Sequence, residues 1–526
     1  MSPIRSLMIA VGLVGIISVP ACGATAAKPS ASDPKSAGKG GGQASAPRLP
    51  TAQTRTPASS VSVMTDTSPE ALSAEFAKAL FATSPVVVVA TNPSQAAQAA
   101  KAAHAPLLLA STITPQLASD IAALHPQAVL AEGLPASALQ AKLPGVNVVT
   151  EAARLPKTGT PPRLTRVAVL TPGTGNSGTG NSGTSAPGNG TAGSTNAAIA
   201  AVTATAQAAG ATVVPVSGGD PRTDPAAITT LARVQPGVTI AIGGEFGSGV
   251  RLKNRLAVAE TGVQLPGGGQ VMFPGRRLVA LYGHPGTASL GALGQQGLSA
   301  SVERAERTAN QYKKLSSVPV VPTFEIIATV AEGSAGPGGT YSAETPVSEL
   351  RPWIDRATSH GMYVVLDLQP GRANLLAQAK VYQSLLEKPN VGLALDPEWK
   401  LQPGQVPLQQ IGHVGIGEVN SVVHWLAALT AQHHLPQKLL VVHQFRSSMI
   451  VGEKGLDTSN DDLAILLHMD GQGSQGDKQA TWNSVTGGAP GGVWFGWKNF
   501  FVKDTRMLSP QQTMKKTPTP VMISYQ

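Results

Sequence analysis

The chain places Asp396-Pro397-Glu398 at the end of the apolar run Val391 to Leu395. Two carboxyls that share a partly desolvated cleft are pushed toward different pKa values, one keeping a proton and the other a charge. Cleavage of a glycosidic bond needs such an acid and anion. In an extended strand, side chains i and i+2 point to one face, so the row reads Gly392, Ala394, Asp396, Glu398, with small residues leading to two acids. Other apolar runs also end in polar residues: His284, Asp367 with Gln369, His443 with Gln444 and Arg446, Asp470 with Gln472, and Trp497 with Lys498. The candidate catalytic residues are Glu398, Asp396, Asp470 and Asp367. His443, Gln444, Arg446 and Gln472 are candidate substrate contacts, with Trp399, Trp497 and Tyr525 as flat platforms for sugar rings. The structural alternatives are a turn cap before Pro397 for Asp396, a solvated loop acid for Glu398, and core packing for the aromatics.

Such distant positions meet only if the elements carrying them close on one another. After the glycine-rich joint Pro266 to Gly269, eight strand-like segments follow: Leu278 to Tyr282, Thr323 to Val330, Met362 to Leu368, Val391 to Asp396, Lys438 to Gln444, Leu463 to Asp470, Gly492 to Lys498, and Val521 to Tyr525. Amphipathic helical stretches lie between most of them, among them Val302 to Leu315, Val347 to Ser359, Leu375 to Leu386 and Glu418 to His433. Eight such pairs in about 250 residues predict a (β/α)8 TIM-type barrel over 270–526, whose chemistry sits at the carboxyl ends of its strands.

Upstream, residues 63–262 alternate short all-apolar strands with helices, the pattern of a parallel sheet covered on both faces. Strands are expected at Val86 to Val89, Leu107 to Leu109 and Ala128 to Ala131, and again at Val167 to Leu170, Thr212 to Val216 and Val238 to Ile242, a Rossmann-like duplication. A low-complexity insert, 173–193, repeats Gly-Asn-Ser-Gly-Thr and lacks the Gly-Lys-Ser/Thr ending of a P-loop.

Arg5 followed by the apolar stretch Leu7 to Val19 reads as an export signal over 1–21, too short to span a membrane. Residues 22–62, rich in Ala, Gly, Pro, Ser and Thr, read as a disordered tether. The single cysteine excludes disulfide frameworks and Cys-based metal sites. The net charge of +9 favours anionic partners such as acidic wall polymers or lipid headgroups, yet the Lys and Arg are scattered, which argues against nucleic acid. No H-E-x-x-H helix and no G-x-S-x-G elbow is present.

Three resemblances follow from these residues. Val19-Pro20-Ala21-Cys22 resembles a bacterial lipobox, implying that Cys22 is lipidated and holds the protein to the membrane, facing the wall or exterior. The run from Ala71 to Glu132, with His104-Ala105-Pro106-Leu107-Leu108-Leu109, and the ending Ile240-Ala241-Ile242-Gly243-Gly244 resemble the cell-wall-binding repeats of Gram-positive surface proteins. Val391 to Glu398 resembles the fourth-strand signature of chitinase-type glycosidases, departing from it where Val391 and Ala394 replace two upstream aspartates and where no Tyr precedes Asp470. That resemblance implies Glu398 as proton donor to the leaving oxygen, Asp396 as the residue orienting an N-acetyl nucleophile, and Asp470 as the polar residue closing the sixth strand. The expectation is an exported, envelope-anchored, glycosidase-like lipoprotein acting on or binding wall or external polysaccharide, with no cofactor and no metal. Two alternatives are a non-catalytic glycan-binding barrel and a metal-dependent hydrolase with Asp367, Asp396, Glu398, His443 and Asp470 around a cation.

Overall fold

The structure, a computed structural model, describes residues 48–65, 68–173 and 189–526. The export signal, Cys22, most of the tether and most of the 173–193 insert lie outside the described residues. No described helix is long and apolar enough to cross a membrane.

The C-terminal half is a closed barrel of eight parallel strands. In chain order they are Arg277–Gly283, Val320–Ala331, Tyr363–Leu368, Val391–Leu395, Lys438–Gln444, Leu463–Met469, Trp494–Asn499 and Met522–Tyr525. The first strand pairs with both the second and the eighth, which closes the cylinder. Helices Leu298–Asn310, Val347–Ser359, Leu375–Val381, Ile416–Gln432 and Gln475–Gly488 surround it.

Alternation along each strand divides the apolar side chains into two layers. Val364, Leu366, Leu393, Leu395, Leu440 and Val442 face the helices. Ala280, Val321, Tyr363, Ala394, Val441 and Leu466 fill the interior. The small inward row of the fourth strand has a steric cause. A Cβ at Gly392 would lie 2.6 Å from the Leu439 carbonyl oxygen and 3.0 Å from the Tyr363 hydroxyl, which itself accepts the Leu439 N–H at 3.2 Å.

The joint before the barrel is a stopper. Leu265, Met272 and Phe273 pack against the interior residues Leu278 and Leu439, and the buried guanidinium of Arg276 ties that loop together by donating to the carbonyls of Pro266 (2.8 Å) and Met272 (3.1 Å). The amino end of the barrel is thereby filled, and only the carboxyl end is available for chemistry.

The N-terminal region holds two four-stranded parallel sheets. One runs Leu107–Leu109, Val86–Ala90, Ala128–Glu132, Asn147–Val149; the other runs Thr212–Val216, Val167–Pro172, Val238–Ile242, Val61–Met64. The first three strands repeat one order, second-first-third, so the duplication is real in topology. The second sheet takes its edge from Val61–Met64, which lies within and just beyond the stretch read as tether. Gln53–Thr54, inside that stretch, pairs with Phe81–Thr83 over a buried Ala52, and the compact unit begins at Leu49. Asp461, just before the sixth barrel strand, receives three arginines of the N-terminal region: Arg222 (3.1 Å), Arg251 (2.7 Å) and Arg255 (2.6 Å). This anchor sits at the amino ends of the strands, away from the carboxyl end.

Candidate active site at the carboxyl end of the barrel

The same alternation that fills the interior with apolar side chains places polar ones on the top layer. Tyr282, Glu325, Asp367, His443, His468 and Lys498 come from strands one, two, three, five, six and seven, and Asp396 and Asp470 follow the fourth and sixth. All but Asp470 are at most 3% exposed, and Asp470 is 7% exposed.

His443 organises the layer. Its Nε2–H donates to Glu325 Oε1 at 3.0 Å, and its Nδ1 lies 3.2 Å from Asp470 Oδ2. The second contact is an ion pair rather than an aligned hydrogen bond, since Nδ1 makes no bond of good geometry. Burial alone would strip this imidazole of its proton, but Glu325 and Asp470 outweigh it and hold the pKa well above the ordinary histidine value. Reciprocally, burial would raise Glu325 and Asp470, yet the imidazolium keeps both below the usual carboxylate range. His468 stacks on His443 with ring centroids 5.2 Å apart. Burial lowers it to about 4, so it is the neutral member of the pair, with its Nε2 2.8 Å from the Ser524 hydroxyl. Gly496 makes the space for that ring, because a Cβ there would fall 2.8 Å from His468 Nδ1.

Asp367 accepts the Tyr282 hydroxyl at 2.8 Å, and the Lys498 ammonium lies 3.4 Å from the Tyr282 ring centroid. Burial, with Glu325 adding repulsion against the pull of His443, raises Asp367.

Asp396 and Glu398 differ from these paired groups. The fourth strand ends at Leu395, and Pro397–Trp399 forms a single 3-10 turn. The i, i+2 argument for the two acids therefore reaches the right place through a turn rather than a strand. One carboxylate oxygen from each of Asp396, Glu398 and Asp470 lies within 4.8 Å of the others. Asp396 makes no cap bond to the turn that follows, which removes the structural alternative for it, and its buried Oδ1 has no partner. Burial, then repulsion from Glu398 and Asp367, pushes Asp396 well above the ordinary value. Glu398 is half-buried, and burial with repulsion from Asp470, offset in part by Lys498 and His443, brings it to about 7. The layer thus separates into groups shifted toward the charged form, Glu325, His443 and Asp470, and carboxyls shifted toward the neutral form, Asp367, Asp396 and Glu398.

Three expected contacts are corrected by parity. Gln444, Trp497 and Tyr525 lie on the outer face of the barrel, each next in sequence to an inward residue. Gln444 donates to Glu453 at 2.8 Å. Trp497 is fully buried against Trp482, centroids 5.5 Å apart, and the Tyr525 hydroxyl meets that of Tyr312 at 2.5 Å. None of the three offers a face to a ligand in the barrel mouth. Arg446 is exposed with its guanidinium 5.9 Å from the Phe445 ring centroid, Gln472 is exposed in the loop after the sixth strand, and Trp399 is half-buried beside Glu398. Among the acids and histidines, Asp367, Asp396, Glu398, His443 and Asp470 meet as expected. Glu325, His468 and Tyr282 were not singled out, although the two-residue period counted back from Asp470 reaches His468, and Thr323 with Glu325 interrupts its apolar run at that same period. No protein-family model matches this chain, and no curated protein matches it either.

Proposed function

We propose that the barrel is a glycosidase-like hydrolase acting on an N-acetylated wall or external polysaccharide, carried at the outer face of the membrane by a lipid on Cys22. The observation that supports this reading is Glu398. It is half-buried at the carboxyl end of the barrel, is raised to about 7, and lies close to an aspartate that His443 keeps ionised. A carboxyl titrating near neutrality both holds a proton and gives it up readily.

Glu398 protonates the glycosidic oxygen as the bond to the anomeric carbon breaks. Asp396 orients the substrate's N-acetyl group, whose carbonyl oxygen forms the new bond to that carbon. Water then opens the resulting ring and returns a proton to Glu398. The anionic Asp470 stabilises the positive charge that develops on the sugar. The N-acetyl oxygen and then water each displace at the anomeric carbon, so the two inversions cancel. Retention of configuration is expected.

The test is Glu398→Gln, assayed on a chromogenic N-acetylhexosaminide and on isolated wall glycan. Loss of general acid catalysis lowers kcat by about 10²–10⁴, with the circular dichroism spectrum unchanged. Equal turnover by both proteins refutes the assignment. Retention on wall glycan with no product from the native protein establishes the non-catalytic, glycan-binding reading instead.

A further inference from the structure

Were every carboxyl of the top layer ionised, its cations could not neutralise them all. Glu325, Asp367, Asp396, Glu398 and Asp470 face Lys498 and His443, and the two cations are already engaged: His443 bridges Glu325 and Asp470, and Lys498 rests on Tyr282. The lysine nearest in sequence is committed elsewhere, since Lys400 Nζ donates to Glu418 at 2.8 Å and to the Ala373 carbonyl at 2.7 Å. Among the described residues, neither Asp396 nor Glu398 has a hydrogen bond or ion pair to its side chain. Asp396 is 1% exposed, and its Oδ1 and the Oδ1 of Asp470 are buried without a donor. A buried carboxyl oxygen with no donor is costly unless the group keeps its proton or something outside the chain supplies positive charge.

We propose that Asp396, Glu398 and Asp470 together bind one hard divalent cation. Three oxygens within 4.8 Å of one another can be reached by a single ion, because two ligands at about 2.3–2.6 Å from Ca²⁺ stand no more than about 5 Å apart. The donors are all oxygen, which selects Ca²⁺, Mn²⁺ or Mg²⁺ over thiophilic ions. His443 is not a ligand: both its nitrogens face carboxylates, and it acts by positioning Asp470. Glu398 is the one ligand of the three with appreciable exposure, so the ion enters past Glu398 and completes its shell with water or with sugar hydroxyls. A Glu398 oxygen that coordinates an ion carries no proton, so the cation and the acid role exclude each other, and the ion acts as an inhibitor of the cleavage proposed above. That consequence rests on the proposed glycosidase reading; the binding itself does not.

Terbium luminescence sensitised by Trp399, the residue after Glu398, reads the site without any substrate. The expected result is saturable binding of one Tb³⁺ per chain, displaced by Ca²⁺ or Mn²⁺. Asp396→Asn and Glu398→Gln should each weaken it at least tenfold with the circular dichroism spectrum intact, while Asp457→Asn, an acid outside the cleft, should leave it unchanged. Two outcomes overturn the proposal: no saturation below about 10 mM, beyond the 10⁻⁴–10⁻³ M range of extracellular Ca²⁺ modules, or binding that survives both cleft substitutions in folded protein. A native protein that cleaves glycan but takes up no terbium refutes the ion site and leaves the acid assignment standing. Terbium uptake without cleavage does the reverse.

Discussion

Replacing Glu325 by Gln keeps the shape of the buried carboxyl and removes its charge. In the native protein Glu325 Oε1 takes the His443 N–H at 3.0 Å with both side chains fully buried. Removing one partner of a buried ion pair costs about 3–5 kcal/mol, whereas a lost hydrogen bond to a charged group costs about 1.5–3 kcal/mol. The amide oxygen of Gln still accepts the His443 proton, so the expected loss is about 2–3 kcal/mol, between those limits. The pH dependence follows from the two shifts. Glu325 lies below its ordinary value of 4.5 in the folded protein, so its contribution is present above that value and is lost as pH falls through the folded pKa. His443 lies well above its ordinary value of 6.5, so its contribution is complete below that value and is lost as pH rises through the folded pKa. Both are complete between 4.5 and 6.5, and there the substitution costs most. Urea unfolding of both proteins within that window and again at alkaline pH measures it. Coincident midpoints in the acid window, or a gap that widens on going alkaline, would show that the imidazolium is not held by Glu325.

Two further substitutions test the geometry around the site. Gly392→Ala inserts a methyl 2.6 Å from the Leu439 carbonyl oxygen; overpacking of this kind costs about 1–3 kcal/mol, read as a lower urea midpoint, and an unchanged midpoint would contradict the close approach of the fourth and fifth strands. Trp497→Ala removes a fully buried ring from the layer between barrel and helices, at a cost of about 3–5 kcal/mol, with no change in KM for glycan below the unfolding transition; a raised KM in folded protein would return Trp497 to the mouth.

Much of this site was legible because a strand has a period of two and a (β/α)8 barrel carries its chemistry at the carboxyl ends of its strands. Asp367, Asp396, His443 and Asp470 could be assigned to the interior from the alternation of their own segments. The neighbours of such residues were harder. Gln444 and Trp497 were grouped with His443 and Lys498 by proximity in sequence, yet adjacent residues on a strand point to opposite faces, and that rule sends both outward. Glu325 lay within Val320–Ala331, a strand longer than its sequence reading, and so did not register as a strand-end residue. The stopper formed by Leu265, Met272 and Phe273 read only as a joint because its partners lie far along the chain.

Local pattern alone fixed the parallel α/β class, the eight strands, the repeated strand–helix alternation of the N-terminal half and the small residues leading to Asp396, since each depends on side-chain period and volume along its own segments. Which carboxyls are charged was decided by the tertiary structure. That outcome depends on burial and on which sequence-remote partner lies within about 3 Å, and barrel closure gives the imidazole of His443 to Glu325 and Asp470 while leaving Asp396 and Glu398 without a counter-charge.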